Sequence, residues 1–261
     1  MKKIVNAIKK YLLKDTRYFF LYIFRYFQSK YIHTCTFYTE ENFLQELERG
    51  RSIIRLGDGE IGLLHFLKIH YQSYSDTIRE DFLKIIRSYS DSSPYIIMIP
   101  LFVNYSNRDL KEQGIFRCWM PLKLSYEMFF NKKATYFDQH IFYRDGKYSK
   151  LILPYLKKKK VLVVTNQNNK NMLQATEFND IVYDYILSPA ENAYEERLTI
   201  KEEILNKINT TEYSKEDFVI IMAAGLSKTI IHDLSFEGYQ LLDIGKGFES
   251  YYKNESIENQ I

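Results

Sequence analysis

The stretch Lys157-Lys158-Lys159-Lys160-Val161-Leu162-Val163-Val164-Thr165-Asn166-Gln167-Asn168-Asn169-Lys170-Asn171 decides how the rest of the chain is read. A strand with one wet face alternates apolar and polar residues; this one is continuously apolar and stops at a polar turn. It therefore predicts a strand buried on both faces, as parallel sheets require. Working toward the C-terminus, residues 181–186 form another strand pattern. Ser188-Pro189-Ala190-Glu191 then combines an N-cap, a proline at the first helical position and a capping glutamate. These predict a helix running to about Asn209. Residues 218–222 are a strand, residues 226–236 a helix closed by Gly238, and residues 239–244 the last strand.

Working back toward the N-terminus, residues 40–50 read as a helix started by Thr39. Residues 52–56 read as a short strand stopped by Gly57-Asp58-Gly59-Glu60. Thr77-x-x-Glu80 is a capping-box pattern ahead of Phe82, Ile85 and Ile86 at helical spacing. Residues 95–99 are a buried strand ended by Pro100, residues 121–130 a helix, and residues 134–137 a short strand. Strands alternating with helices predict a Rossmann-like α/β fold, its mostly parallel sheet covered by helices on both faces. No Pro/Gly/Ser-rich linker divides the chain. The expected organisation is one α/β domain over residues 39–261, preceded by a basic aromatic helical extension over residues 1–38.

The 261 residues are 46% hydrophobic and 26% charged, which excludes a disordered or low-complexity body. Two cysteines exclude a disulfide framework and a cysteine zinc site, and suit a reducing, cytoplasmic setting. The net charge of +3 divides unevenly: residues 1–30 carry +7 and the remainder −4. A negative body is a poor general binder of nucleic acid, because neutralising phosphates takes clustered Lys and Arg. In the extension, Ile4, Val5, Ile8, Tyr11 and Leu12 recur at helical spacing with lysines opposite, and an aromatic run follows over residues 18–24. Seven apolar residues cannot span a bilayer. A helix of this kind suits the inner face of an anionic membrane, where each Lys or Arg adds on the order of 1 kcal/mol; it suits equally a helix packed on its own domain or on a partner.

In an open parallel sheet, ligands bind beyond the carboxyl ends of the strands. The Gly57-Asp58-Gly59-Glu60 turn sets two carboxylates two residues apart, and its glycines allow both to point the same way. Such a pair can hold one Mg²⁺ or Mn²⁺, which keeps sites for water and phosphate oxygens; an Asp- and Gly-rich surface turn is the ordinary alternative. The loop from Asn166 to Asn171 lies where a phosphate loop would, without the glycine fingerprint. Asn192 stands at the helix expected after residue 188. In Gly245-Lys246-Gly247-Phe248-Glu249, Lys246 can contact phosphate and Glu249 can act as a base or support a ligand. The five histidines show no metal-ligand spacing, and neither a nucleophile elbow nor a Walker loop occurs.

Taken together, these places resemble the bacterial glycosyltransferases of the GT-D fold, first catalogued as a domain of unknown function. Arg55-Leu56-Gly57-Asp58-Gly59-Glu60 is similar to that family's Arg-x-Gly-Asp-Gly-Glu signature, which contains an Asp-x-Glu metal motif. Pro189-x-x-Asn192-Ala193-Tyr194, Ala224-Gly225-Leu226-Ser227, Gly238-Tyr239-Gln240 and Leu242-Asp243-Ile244-Gly245 follow in the family's order. The resemblance covers roughly residues 50–252. It implies transfer of a hexose from a UDP-sugar to a glycan or lipid-linked sugar acceptor, in surface polysaccharide or glycoprotein biosynthesis. It also implies Mn²⁺ or Mg²⁺ at Asp58 and Glu60, Arg55 and Gly57 shaping that turn, donor contacts from Asn166, Asn171, Asn192 and Lys246, and Glu249 as base. The pattern departs at residues 137–140, where the family commonly has a Ser-Arg pair and this chain has Phe137-Asp138-Gln139-His140. It departs again at Lys246, where the family has a histidine. Two further readings stay open: a non-catalytic nucleotide-sugar-binding subunit, and a metal-dependent phosphoesterase or pyrophosphatase that shares only the carboxylate turn.

Overall fold

The computed structural model describes residues 35–66, 69–142, 152–225 and 227–245. The N-terminal helix expected over residues 1–30, and Lys246 and Glu249, lie outside the described residues.

Eight strands form one sheet: β1 (Thr36–Phe37), β2 (Ser52–Arg55), β3 (Tyr95–Ile99), β4 (Thr135–Asp138), β5 (Lys160–Thr165), β6 (Val182–Leu187), β7 (Phe218–Ala223) and β8 (Leu241–Asp243). Their spatial order is β1-β4-β3-β2-β8-β7-β5-β6, and every pairing is parallel. The parallel sheet read from the second half of the sequence thus extends through the first half.

Along β5, Val161 and Val163 point into one apolar layer while Leu162 and Val164 point into the other. This is why the sequence shows no alternation there: both faces are covered. On one face lie α3 (Asp76–Ser88), through Ile78, Phe82, Ile85 and Ile86, and α8 (Arg197–Asn209), through Ile200, Ile204 and Ile208. With them lies α9 (Ser227–Phe236), through Ile230, Ile231 and Leu234. On the other face lie α1 (Glu40–Glu48), α6 (Leu153–Leu156) and α7 (Gln167–Gln174), through Phe43, Leu47, Tyr155, Leu156 and Leu173. Phe43 stacks on Phe137 with ring centroids 3.9 Å apart, fastening α1 to β4.

Five local expectations are corrected. The body begins before residue 39, because Thr36–Phe37 pairs with β4 and Cys35 is buried. The cap of α3 is Ser75, whose side chain accepts from the Ile78 N–H; Thr77 falls within the first turn of a helix already started. Residues 188–192 do not start a helix: Asn192 adopts φ 50°, a 3-10 turn covers Ala193–Glu196, and α8 starts at Arg197. Asn192 gives its N–H to the Tyr71 carbonyl and accepts the Ser73 N–H, so tertiary bonds hold the segment out of helical geometry. The polar stretch after β5 is a helix start, capped by Asn166 on the Asn169 N–H. Finally, Gly57-Asp58-Gly59-Glu60 begins α2 (Asp58–Leu64) and is no free turn.

The strand order reverses at β2. The chain leaves β2 for β3 on one side, and β8 lies against β2 on the other, with Ile53 opposite Leu242. Helices diverge at such a reversal and leave a crevice at the carboxyl ends. Arg55 and the start of α2 stand at the end of β2; Asp243 and Gly245 stand at the end of β8.

Candidate functional site

The crevice holds a buried ionic cluster. Lys228, in the first turn of α9, places Nζ 2.9 Å from Glu60 Oε1 and 3.0 Å from Asp243 Oδ2. All three are buried, Asp243 to 1% exposure. The remaining lone pairs are used. Glu60 Oε2 accepts the Gly57 N–H at 2.9 Å, and Tyr71 donates its hydroxyl to Glu60 Oε1 at 3.2 Å. Asp243 Oδ2 accepts from Ser227 Oγ at 3.1 Å and from the Arg55 N–H at 3.3 Å, and Oδ1 accepts the Gly245 N–H at 3.1 Å. Buried charges persist only when paired and hydrogen-bonded in this way.

Charge follows from these contacts. Burial alone would raise the Glu60 carboxyl; Lys228, with help from Arg55, outweighs it and pulls the group down to about 2. Burial opposes the Lys228 charge, yet Asp243 and Glu60 hold its pKa above the ordinary lysine value. The Glu60 charge, and then burial, push the Tyr71 phenol well above its usual range.

Two glycines are required by close approach. A Cβ at Gly245, which has φ 51°, would sit 1.6 Å from Arg55 Nη1, so the guanidinium lies directly on the Gly245 backbone. A Cβ at Gly225 would come within 2.9 Å of the Tyr71 ring. The two turns after β7 and β8 are therefore cut to fit side chains arriving from elsewhere in the chain.

The site residues expected from the sequence divide into groups. Arg55, Gly57 and Glu60 meet at the crevice together with Lys228 and Asp243. Asp58 also opens α2, but it is exposed while Glu60 is buried. Residues two apart on a helix do not face each other directly, and the two carboxylates differ in exposure where the free turn expected would have shown both to solvent. Asn166 caps α7 at the end of β5, and Asn171, exposed on that helix, accepts from Gln167 Nε2 at 2.6 Å. Asn192 clamps the segment around Tyr71. Lys228, which no motif singled out, carries the most connections; its signal was a lysine beside an apolar run, Thr229-Ile230-Ile231, in a helix needing its apolar face for the sheet.

Among the described residues, no group of three or more His, Cys, Asp or Glu gathers in metal-binding geometry. The oxygens present suit a hard cation such as Mg²⁺ or Mn²⁺, which needs one or two carboxylates when water and phosphate oxygens complete its shell. Asp58 is the exposed carboxylate of the pair; Glu60 would contribute an oxygen only by sharing it, Oε1 with Lys228 and Tyr71 or Oε2 with the Gly57 N–H.

The Glycosyltransferase GT-D fold family matches residues 53–258, more than half of the chain. The chain belongs to the GT-D-fold glycosyltransferase family. This GT-D chain is 23% identical over 210 residues to the probable glycosyl transferase Gly of Streptococcus gordonii. The match takes in 76% of this chain and 30% of that protein, so the chain spans less than a third of its relative's length. Among solved structures, it is similar to a new glycosyltransferase (DUF1792) from Streptococcus sanguinis, with TM-score 0.69, 21% identity and 85% of each chain covered. It is also similar to a domain of unknown function 1792 described as having a distinct glycosyltransferase fold, with TM-score 0.70, 22% identity and coverage of 88% of this chain and 86% of that one. At these identities the likeness establishes the shared GT-D fold.

Proposed function

We propose that this GT-D protein transfers a hexose from a UDP-sugar to a glycan or lipid-linked sugar acceptor, in the assembly of a surface polysaccharide or glycoprotein. The observation that carries the proposal is the meeting of Arg55, Glu60, Lys228 and Asp243 at the strand-order reversal, within a chain of this family. The start of α2 and the Arg55 guanidinium supply positive potential where a diphosphate would lie. The Lys228 bridge keeps the two buried carboxylates from repelling that anion. Asp58, with an oxygen of Glu60, would hold Mn²⁺ or Mg²⁺, and such an ion offsets charge on a departing nucleoside diphosphate. Asn166, Asn171, Asn192 and Lys246 are the proposed donor contacts, and Glu249 is the base that the resemblance implies. Among the described residues no helix is long and apolar enough to cross a membrane. We propose peripheral contact with the inner membrane face through residues 1–30; loss of sedimentation with anionic vesicles on deleting them is the expected result.

The test is UDP release from a panel of UDP-sugars, with Mn²⁺ or with chelator, for the wild type and the Asp58→Ala/Glu60→Ala variant. Metal-dependent release from one sugar, lost in the variant, supports the transferase reading and names the donor. UDP binding without release points to the non-catalytic subunit; release of UMP points to the pyrophosphatase; absence of UDP binding overturns the proposal.

A further inference from the structure

Beside the crevice, past the ends of β3 and β4, lies a second polar group. Asp138 closes β4, and its Oδ1 accepts from His140 Nδ1 at 3.0 Å, from the His140 N–H at 3.2 Å and from the Leu101 N–H at 3.4 Å. A carboxylate oxygen accepts, so the contact puts an N–H on Nδ1 and directs Nε2, the lone-pair nitrogen of that tautomer, away from Asp138. The two backbone donors hold the carboxylate still, and the carboxylate holds the ring. A base fixed by an orienting acid is the arrangement that proton abstraction from a hydroxyl requires. Both side chains remain partly open, at 17% exposure for His140 and 22% for Asp138.

The surroundings suit a sugar. The His140 ring lies 5.1 Å from Phe102 and 6.2 Å from Trp119, and Phe102 and Trp119 are 5.3 Å apart. The partly buried Trp119 and His140, backed by the buried Phe102, make an aromatic corner of the kind that takes the apolar face of a pyranose. Gln139 ties the corner to the crevice. Its buried amide oxygen, which has no hydrogen-bond partner among the described residues, lies 3.7 Å from where a Gly57 Cβ would be.

We propose that this corner is the acceptor-sugar subsite and that His140, in place of Glu249, is the base of the transfer, an inference that rests on the glycosyl-transfer reading. The acceptor hydroxyl gives its proton to His140 Nε2 as its oxygen bonds to the anomeric carbon of the donor sugar. The bond from that carbon to the diphosphate oxygen breaks, and its electron pair leaves with the nucleoside diphosphate. Asp138 holds the resulting imidazolium.

The experiment compares the wild type, His140→Gln and Asp138→Asn in UDP binding and in hydrolysis of a UDP-sugar, with water as the acceptor probe. Trp119 is the sole tryptophan of the sequence, so its emission reports on the corner when methyl glycosides of glucose, galactose and N-acetylglucosamine are added. The expected result is kcat lowered about 100-fold in both variants, the usual worth of a general base, with KM and UDP affinity unchanged. A saturable Trp119 response to one methyl glycoside is expected beside it. Wild-type kcat in His140→Gln overturns the base, and lost UDP affinity in either variant overturns the acceptor assignment. A UDP-bound wild type that releases no UDP and whose Trp119 ignores all three glycosides overturns the subsite while leaving the donor site standing. A wild type that binds no UDP overturns the function on which the inference rests.

Discussion

Replacing Lys228 by Met removes the cation between Glu60 and Asp243 while keeping most of the side-chain volume. Both carboxylates are then left buried and facing each other. Breaking a buried pair by removing one partner costs about 3 to 5 kcal/mol. Glu60, which burial would raise and which Lys228 first and Arg55 next hold down from 4.5 to about 2, is the carboxylate most directly left unpaired. The sign follows from the direction. A depressed carboxyl stabilises the fold fully above its unfolded value of 4.5, and that contribution is lost as pH falls toward about 2. The Lys228→Met variant should therefore unfold at a lower urea concentration at pH 7, with a loss of about 3 to 5 kcal/mol, and the gap to wild type should narrow at pH 4 as Glu60 takes a proton in the variant. Adding Glu60→Gln to Lys228→Met should recover more than about 1 kcal/mol, because the members of one network are not additive. Urea denaturation followed by circular dichroism at both pH values reads all of this. A loss under about 1 kcal/mol at pH 7, the size expected of an exposed pair, would refute the account of Lys228 as the keystone of the crevice.

Asp58→Ala should change stability by less than about 0.5 kcal/mol, as for other exposed positions, yet abolish metal-dependent UDP release; equal loss of both would place Asp58 among the structural residues. Gly245→Ala should cost about 1 to 2 kcal/mol for the left-handed backbone, and it should raise the donor KM by displacing Arg55; unchanged kinetics would detach Arg55 from the donor. Asn192→Ala should lower the melting temperature by several degrees through loss of the Ser73 bond and the left-handed conformation. Asn192→Gly should recover part of that loss, and calorimetry that finds the two variants equally destabilised would leave the side-chain bond as the whole effect.

The sequence by itself determined the alternation of strands and helices. Runs such as Val161–Val164 and residues 95–99, short, apolar and stopped by polar residues or proline, pointed to strands covered on both faces, and the order of motifs carried the family. It also located the Gly57–Glu60 segment at the end of a strand. Only the tertiary structure decided what those residues do there. Local signals at Ser188-Pro189 and Thr77-x-x-Glu80 described helix starts that the fold did not use, because Asn192 is bonded to the Tyr71–Ser73 segment and Ser75 caps first. Likewise, Asp58 and Glu60 are neighbours in a motif, yet they part at a helix start. The inward one is claimed by Lys228, 168 positions away along the chain. A buried charge must find its counter-charge wherever folding brings one, and that distance in sequence is invisible to spacing and periodicity. The strand order that sets β8 beside β2 is what brings Lys228, Asp243 and Glu60 together.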